Sequence, residues 1–203
     1  MSKQRGDTLV EVLIAVAVFS AIAVGAVNIM SQGIAAAQSS LEMSLVRNQI
    51  DNQAELLRHY HAEAMSAAEG SGSEGAREWD QIIADSSTSA SNYDEVATFE
   101  DCRPNQAGGE GIAANAFFID TATGQVVRDA NRFRTPGAFA RVHDGMSEMI
   151  WIEAVRNDAS QDTERLPATR HYDFHIRACW DSPNPRGGVM RLGTIVRLYA
   201  LSN

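Results

Sequence analysis

At 203 residues, 44% of them apolar, the chain is long enough for one globular domain plus an anchor. Its 26 acidic residues outnumber 17 basic ones, giving a formal net charge of −9 and a pI of about 5.0. That balance excludes nonspecific nucleic-acid binding through a globally basic surface, and no specific nucleic-acid partner is expected.

Lys3 and Arg5 precede an apolar run whose early charges are Asp7 and Glu11, and no Asp, Glu, Lys or Arg occurs from Val12 to Leu41. Leu9 to Val27 is about 19 residues, close to the roughly 20 that a helix needs to cross a bilayer core of about 30 Å. Basic residues ahead of the run, with no basic cluster behind it, put the N-terminus inside and the remainder outside. The two cysteines, Cys102 and Cys179, then lie where a disulfide can persist, the alternative being two buried free thiols. Glu11 is the odd feature. A charge at the centre of a membrane helix costs about 2.5–3.5 kcal/mol on insertion scales, so an acid inside such a run reads as functional.

The segment Gly6-Asp7-Thr8-Leu9-Val10-Glu11-Val12-Leu13-Ile14-Ala15, following a short basic leader, resembles the class III signal of type IV pilins and type II secretion pseudopilins. The resemblance covers about 25 residues. It implies that a prepilin peptidase cuts after Gly6 on the cytoplasmic side, that Asp7 becomes the first mature residue, and that the apolar helix stays attached. It also implies that Glu11, the fifth mature residue, pairs with the freed α-amino group of a neighbouring subunit and so sets the register of one helix on the next. Two departures stand out. Asp7 occupies the position where most members have Phe, which leaves N-methylation of that residue open. Asn28 stands where major pilins often have a helix-kinking Pro, which points to a straighter helix and a minor component.

Two rival readings concern the same segment. A secretory signal peptide would use the small-residue site Ala35-Ala36-Ala37, but its apolar region would be too long, would contain Glu11, and would end well before that site. An uncleaved signal anchor is the other.

Beyond the membrane run, Ile34, Leu41, Leu45, Met43, Val46, Ile50, Ala54 and Leu57 recur at three-, four- and seven-residue steps, with Glu42, Arg47, Asp51, Glu55, Arg58 and Glu63 on polar faces. No Pro precedes Pro104. The pattern predicts one helix from about Thr8, a possible cap, to Ala68, roughly 90 Å long. Its first half is apolar all round; its second buries one face. Ala21, Ala23, Gly25, Ala26, Gly33 and Ala35–Ala37 permit close helix approach. The Gly/Ser stretch Glu69–Gly75 ends the helix. The expected divisions are a leader at 1–6, a membrane and assembly half at 7–33, an amphipathic half at 34–68, and an extracytoplasmic domain, mainly β, at 69–203.

Within that domain a short amphipathic helix is expected around Arg77–Ala84, then a solvated loop at Asp85–Asn92. Ala116–Asp120 and Gln125–Arg128 read as a hairpin about Thr121–Gly124. Phe139–His143 and Met149–Arg156 read as a second pair around Asp144-Gly145. His171–Trp180 alternates Tyr172, Phe174, Ile176, Ala178 and Trp180 on one face with His171, Asp173, His175, Arg177 and Cys179 on the other. Val189–Leu201 reads as the last strand, after a Pro/Gly loop. Strands without long intervening helices predict an antiparallel sheet packed on the helix, an α+β fold, and the resemblance implies that it is pilin-like.

No constellation for catalysis emerges. His59 and His61 sit at i and i+2, on different sides of a helix, and His59 suits a surface pair with Glu55 or Glu63. His171 and His175 share a strand face but lie about 13 Å apart, too far for one metal ion, and with Asp173 suggest a polar patch. Asp158, Asp162 and Glu164 form an acidic loop without a known calcium spacing, and Gly108-Gly109-Glu110-Gly111 lacks the Lys of a phosphate loop. Trp151, Tyr172, Trp180 and Tyr199 read as core rather than an adhesive surface. No enzyme activity, metal or cofactor is expected.

The expected function is a minor pilin of a type IV pilus-like filament. Its expected partners are other pilins, the prepilin peptidase, the assembly platform and, before assembly, membrane lipid. The alternatives are a pseudopilin of a type II secretion system or a competence pilin and, in another class, a membrane-anchored or secreted binding or enzymatic domain.

Overall fold

The computed structural model describes residues 7–67, 72–90, 115–157, 170–182 and 188–200. Helix α1 runs without a break over Asp7–Ala67. The chain forms two compact units, 1–41 and 42–203.

In the first unit, α1 is exposed on every side: Leu9, Leu13, Val16, Phe19, Ile22, Val27, Ile29 and Met30 are all at least 57% exposed. An 18-residue window here has a mean hydropathy of 2.5, and none of it is buried. By length and composition this stretch can cross a membrane.

In the second unit, α1 buries Val46, Ile50, Ala54, Leu57, Tyr60 and Ala64. These recur every three or four residues and so lie along one face. Helix α2, Glu74–Ala84, adds Ala76, Trp79 and Ile82 to the same core. It starts three residues before the expected position, because Ser73 Oγ accepts the Ala76 N–H at 3.1 Å as an N-cap. Glu63 of α1 reaches over to that helix start, accepting from Ser73 Oγ at 2.9 Å and from Gly75 N at 3.1 Å. A Cβ on Gly75 would collide with the Glu63 carboxylate.

Strands β1 (Phe118–Ile119) and β2 (Val126–Val127) pair antiparallel around Thr121–Gly124, as expected. A 3₁₀ turn follows at Ala130–Arg132. Here the structure corrects the sequence reading. Strand β3 (Arg141–His143) pairs with β4 (Met146–Glu148) across Asp144-Gly145, not with Met149–Arg156. Both turn residues have positive φ, 50° and 69°, the requirement of a two-residue type I′ hairpin. Met149, with φ 60°, then breaks the run, and β5 (Ile150–Asn157) goes elsewhere. Ser147 spans the break, its hydroxyl accepting from Ile150 N at 2.9 Å and donating to Ile150 O.

Strands β5, β6 (His171–Asp181) and β7 (Val189–Tyr199) form an antiparallel sheet in that order, so among the described residues the expected single sheet is three sheets of two, two and three strands. Isolated bridges link Ser87 to Val155 and Phe117 to Ile152, covering part of the outer edge of β5. Ser87 is therefore bonded into the sheet, donating to Ala154 O at 2.9 Å and accepting from Arg156 N at 2.8 Å, rather than lying in a solvated loop.

The alternation of β6 is as expected. Tyr172, Phe174, Ile176, Ala178 and Trp180 are all buried against the helices. The opposite face is closed at one end, where Arg177 and Cys179 are also buried. Of the four aromatic residues assigned to the core, Trp151, Tyr172 and Trp180 belong to it, but Tyr199 is 55% exposed at the end of the edge strand.

Candidate functional site

The apolar half of α1 contains few polar groups, and its hydroxyls are satisfied within the helix. Ser20 Oγ donates to Val16 O at 2.7 Å and Ser31 Oγ to Val27 O at 2.9 Å. This back-bonding is what a polar side chain needs in a medium without water. Glu11 has no such partner: it is exposed and makes no hydrogen bond or ion pair among the described residues. A Cβ at Gly25 or Gly33 would meet nothing, so packing inside this chain does not explain either glycine. Asp7 heads the helix, and Gly6 lies outside the described residues.

The other singled-out residues resolve into structural roles. His59 pairs with Glu63 at 3.2 Å, an i,i+4 surface pair. His61 instead reaches the Tyr199 carbonyl at 2.8 Å and stacks edge-on against Trp79. On β6, Asp173 accepts Arg197 Nε and Nη2 at 2.7 and 2.8 Å and Asn157 Nδ2 at 2.9 Å, with His171 4.0 Å away. The Arg197 hydrogen bond holds the Asp173 carboxyl below the ordinary carboxylate value. His175, on the same face, is held below the ordinary imidazole value by burial and then by Arg177.

Among the described residues no group of three or more His, Cys, Asp or Glu is placed to hold a metal. Asp158, Asp162, Glu164 and the glycines at 108, 109 and 111 lie outside the described residues. So does Cys102; Cys179 is fully buried beside Met149, Trp151 and Ala116 and is not a free thiol.

Three features were missed by sequence reasoning. Gln53 of α1 is fully buried and binds the hairpin backbone twice: its Nε2 donates to Ile119 O and its Oε1 accepts Ile119 N, both at 2.8 Å. The only sequence signal was an amide on the apolar stripe. Glu153 and Arg177 form a buried pair at 2.7 Å, with Trp151 Nε1 donating to the same carboxylate oxygen at 2.9 Å. A charge inside each of two apolar strands hinted at this. A cleft of about 640 Å³ lies between the β1–β2 and β3–β4 turns, lined by Asp120, Thr123, Arg128, Arg132 and Asp144 among others. Its polar groups serve the turns: Asp120 accepts Ala122 N and Thr123 Oγ1, and Arg132 donates to Gly145 O.

The sequence comparison agrees with the helix. Residues 1–27 match the family described as prokaryotic N-terminal methylation motif. The N-terminal segment thus carries a class III prepilin-type signal, and the match spans 27 of the 203 residues. No curated protein and no solved structure matches the chain.

Proposed function

We propose that this protein is a minor pilin of a type IV pilus-like filament, anchored in the cytoplasmic membrane until it is assembled. One observation carries the reading: behind a prepilin motif, α1 is apolar and exposed all round, with Glu11 as an unpartnered acid near its start. Lipid covers such a surface before assembly, and neighbouring helices cover it afterwards.

In this reading a prepilin peptidase cuts after Gly6 and frees the α-amino group of Asp7. The pilus assembly platform then takes up the mature subunit. Glu11 of an incoming subunit pairs with the freed amine of a subunit already in place; matched, the charge is tolerated, and out of register it is penalised. Gly25 and Gly33, unexplained within the chain, allow helices to approach closely. The extracytoplasmic domain carries a Cys102–Cys179 disulfide, supported by the burial of Cys179 and its lack of a free thiol.

Mass spectrometry of the mature N-terminus is the decisive experiment. A start at Asp7 is expected; a start at Gln38 would establish a secretory signal, and an intact Met1 a plain anchor. Glu11→Ala is expected to insert in the membrane normally but to be depleted from filaments, and normal incorporation would remove the register role. Alkylation in denaturant without reductant should label neither cysteine.

A further inference from the structure

The three-stranded sheet has two edges that the chain treats differently. Along β5, Ser87 and Phe117 bridge to the outer backbone. Along β7 no described strand lies outside. The hydrogen bonds from Ser182 N to Gly188 O and from Ala200 N to Arg170 O bracket the β6–β7 ladder. With the register Phe174↔Val196, they show that even-numbered β7 residues bond to β6. The N–H and C=O groups of the odd-numbered residues therefore point out of the sheet. At one end His61 takes the Tyr199 carbonyl. From Gly193 to Arg197 the outward backbone groups have no bond among the described residues, and Gly193, Thr194, Ile195 and Arg197 are exposed, Ile195 at 59%.

Proteins usually blunt such an edge with charged side chains, Lys above all, with Pro, with a bulge or by keeping the strand very short, and of these β7 has only its two arginines, Arg191 and Arg197. The strand is eleven residues long, pairs with β6 without a bulge, and contains neither Lys nor Pro.

We infer that this edge is an interaction surface on which a second copy of the chain adds its own β7, antiparallel and centred on Ile195. The side chains fit that arrangement. Centring on Ile195 sets Ile195 against Ile195 and Gly193 against Arg197 on one face, and Thr194 against Val196 and Leu192 against Leu198 on the other. No like charges meet. Sliding the pair by two residues one way sets Arg191 against Arg197 twice, which like-charge repulsion disfavours, and by two residues the other way sets Ile195 against Arg197, which gives up the Ile195–Ile195 apolar contact. Residues 193, 195 and 197 of each copy would then exchange backbone bonds with the other.

The test uses the full chain in detergent. Directly opposed residues in a bonded antiparallel pair have Cα atoms about 5.5 Å apart, within disulfide reach. Ile195→Cys is therefore expected to give a disulfide-linked dimer under mild oxidation. Tyr199→Cys, exposed on the same face but some 27 Å from its own copy in this register, is expected not to. Ile195→Pro removes an outward N–H while sparing the β6 ladder, and should weaken the dimer about tenfold or more in sedimentation, with unchanged circular dichroism. Equal linking by both cysteine variants, or linking by neither, would overturn the proposal. So would a dimer that survives Ile195→Pro, which would place the contact on the apolar helix.

Discussion

Gln53 shows how much one side chain holds in place. Its amide acts as a neighbouring strand would, giving Ile119 both a donor and an acceptor inside the core. Gln53→Leu would fill similar volume but strand the Ile119 N–H and C=O in an apolar setting, at about 1–3 kcal/mol each. The expected loss is about 2–6 kcal/mol, read as a lower denaturant midpoint with unchanged m-value. The stripe that predicted the helix predicted its buried face only from Val46 on: Val46, Ile50, Ala54 and Leu57 are buried, whereas Ile34, Leu41, Met43 and Leu45, placed on the same stripe, are exposed. The role of Gln53 was not legible, since its partner lies 66 residues away. Glu153 and Arg177, 24 residues apart, were obscured in the same way: only cross-strand pairing brings them together.

At the scale of elements, turns were easier to read than strand partners. Asp144-Gly145 was recognisable as a reversal, because Gly, and to a lesser degree Asp, tolerate positive φ. The partner was misread because Met149 also adopts positive φ, a choice its side chain does not signal. Gly145→Val would force a β-branched residue into the left-handed region, with its Cβ 3.3 Å from the Arg132 guanidinium. A loss of about 1–3 kcal/mol is expected, visible as a lower melting temperature. The start of α2 was likewise placed late, because Ser73 sits in a Gly/Ser stretch that reads as linker until its cap to Ala76 is seen.

At the scale of the whole molecule, a long N-terminal helix followed by antiparallel strands was plain from hydropathy and periodicity, but the division of the described strands into three sheets was not. Stability is also set globally by pH. Burial, reinforced by Arg177, holds His175 below its ordinary 6.5, so the unfolded chain binds the proton more readily. The contribution is intact above about pH 6.5 and falls as pH drops towards the folded-state value. Asp173, also depressed below its ordinary 3.8, adds a second loss in more acidic solution. His175→Gln is expected to flatten the decline that begins just below pH 6.5 in denaturation curves, relative to the unaltered chain, and an unchanged slope would assign that decline to other histidines.

Val46, Ile50, Leu57 and Ala64 belong to α1 yet form the floor of the sheet, which fixes where the polypeptide can be shortened. A fragment beginning at Ser40 discards the greasy segment but retains every one of these side chains, and should dissolve and fold without detergent. One beginning at Gly72, the apparent hinge in the primary structure, leaves Phe174, Ile176 and Trp180 facing water and should precipitate. The helix is thus shared property, bare and apolar at one end and one wall of the hydrophobic interior at the other.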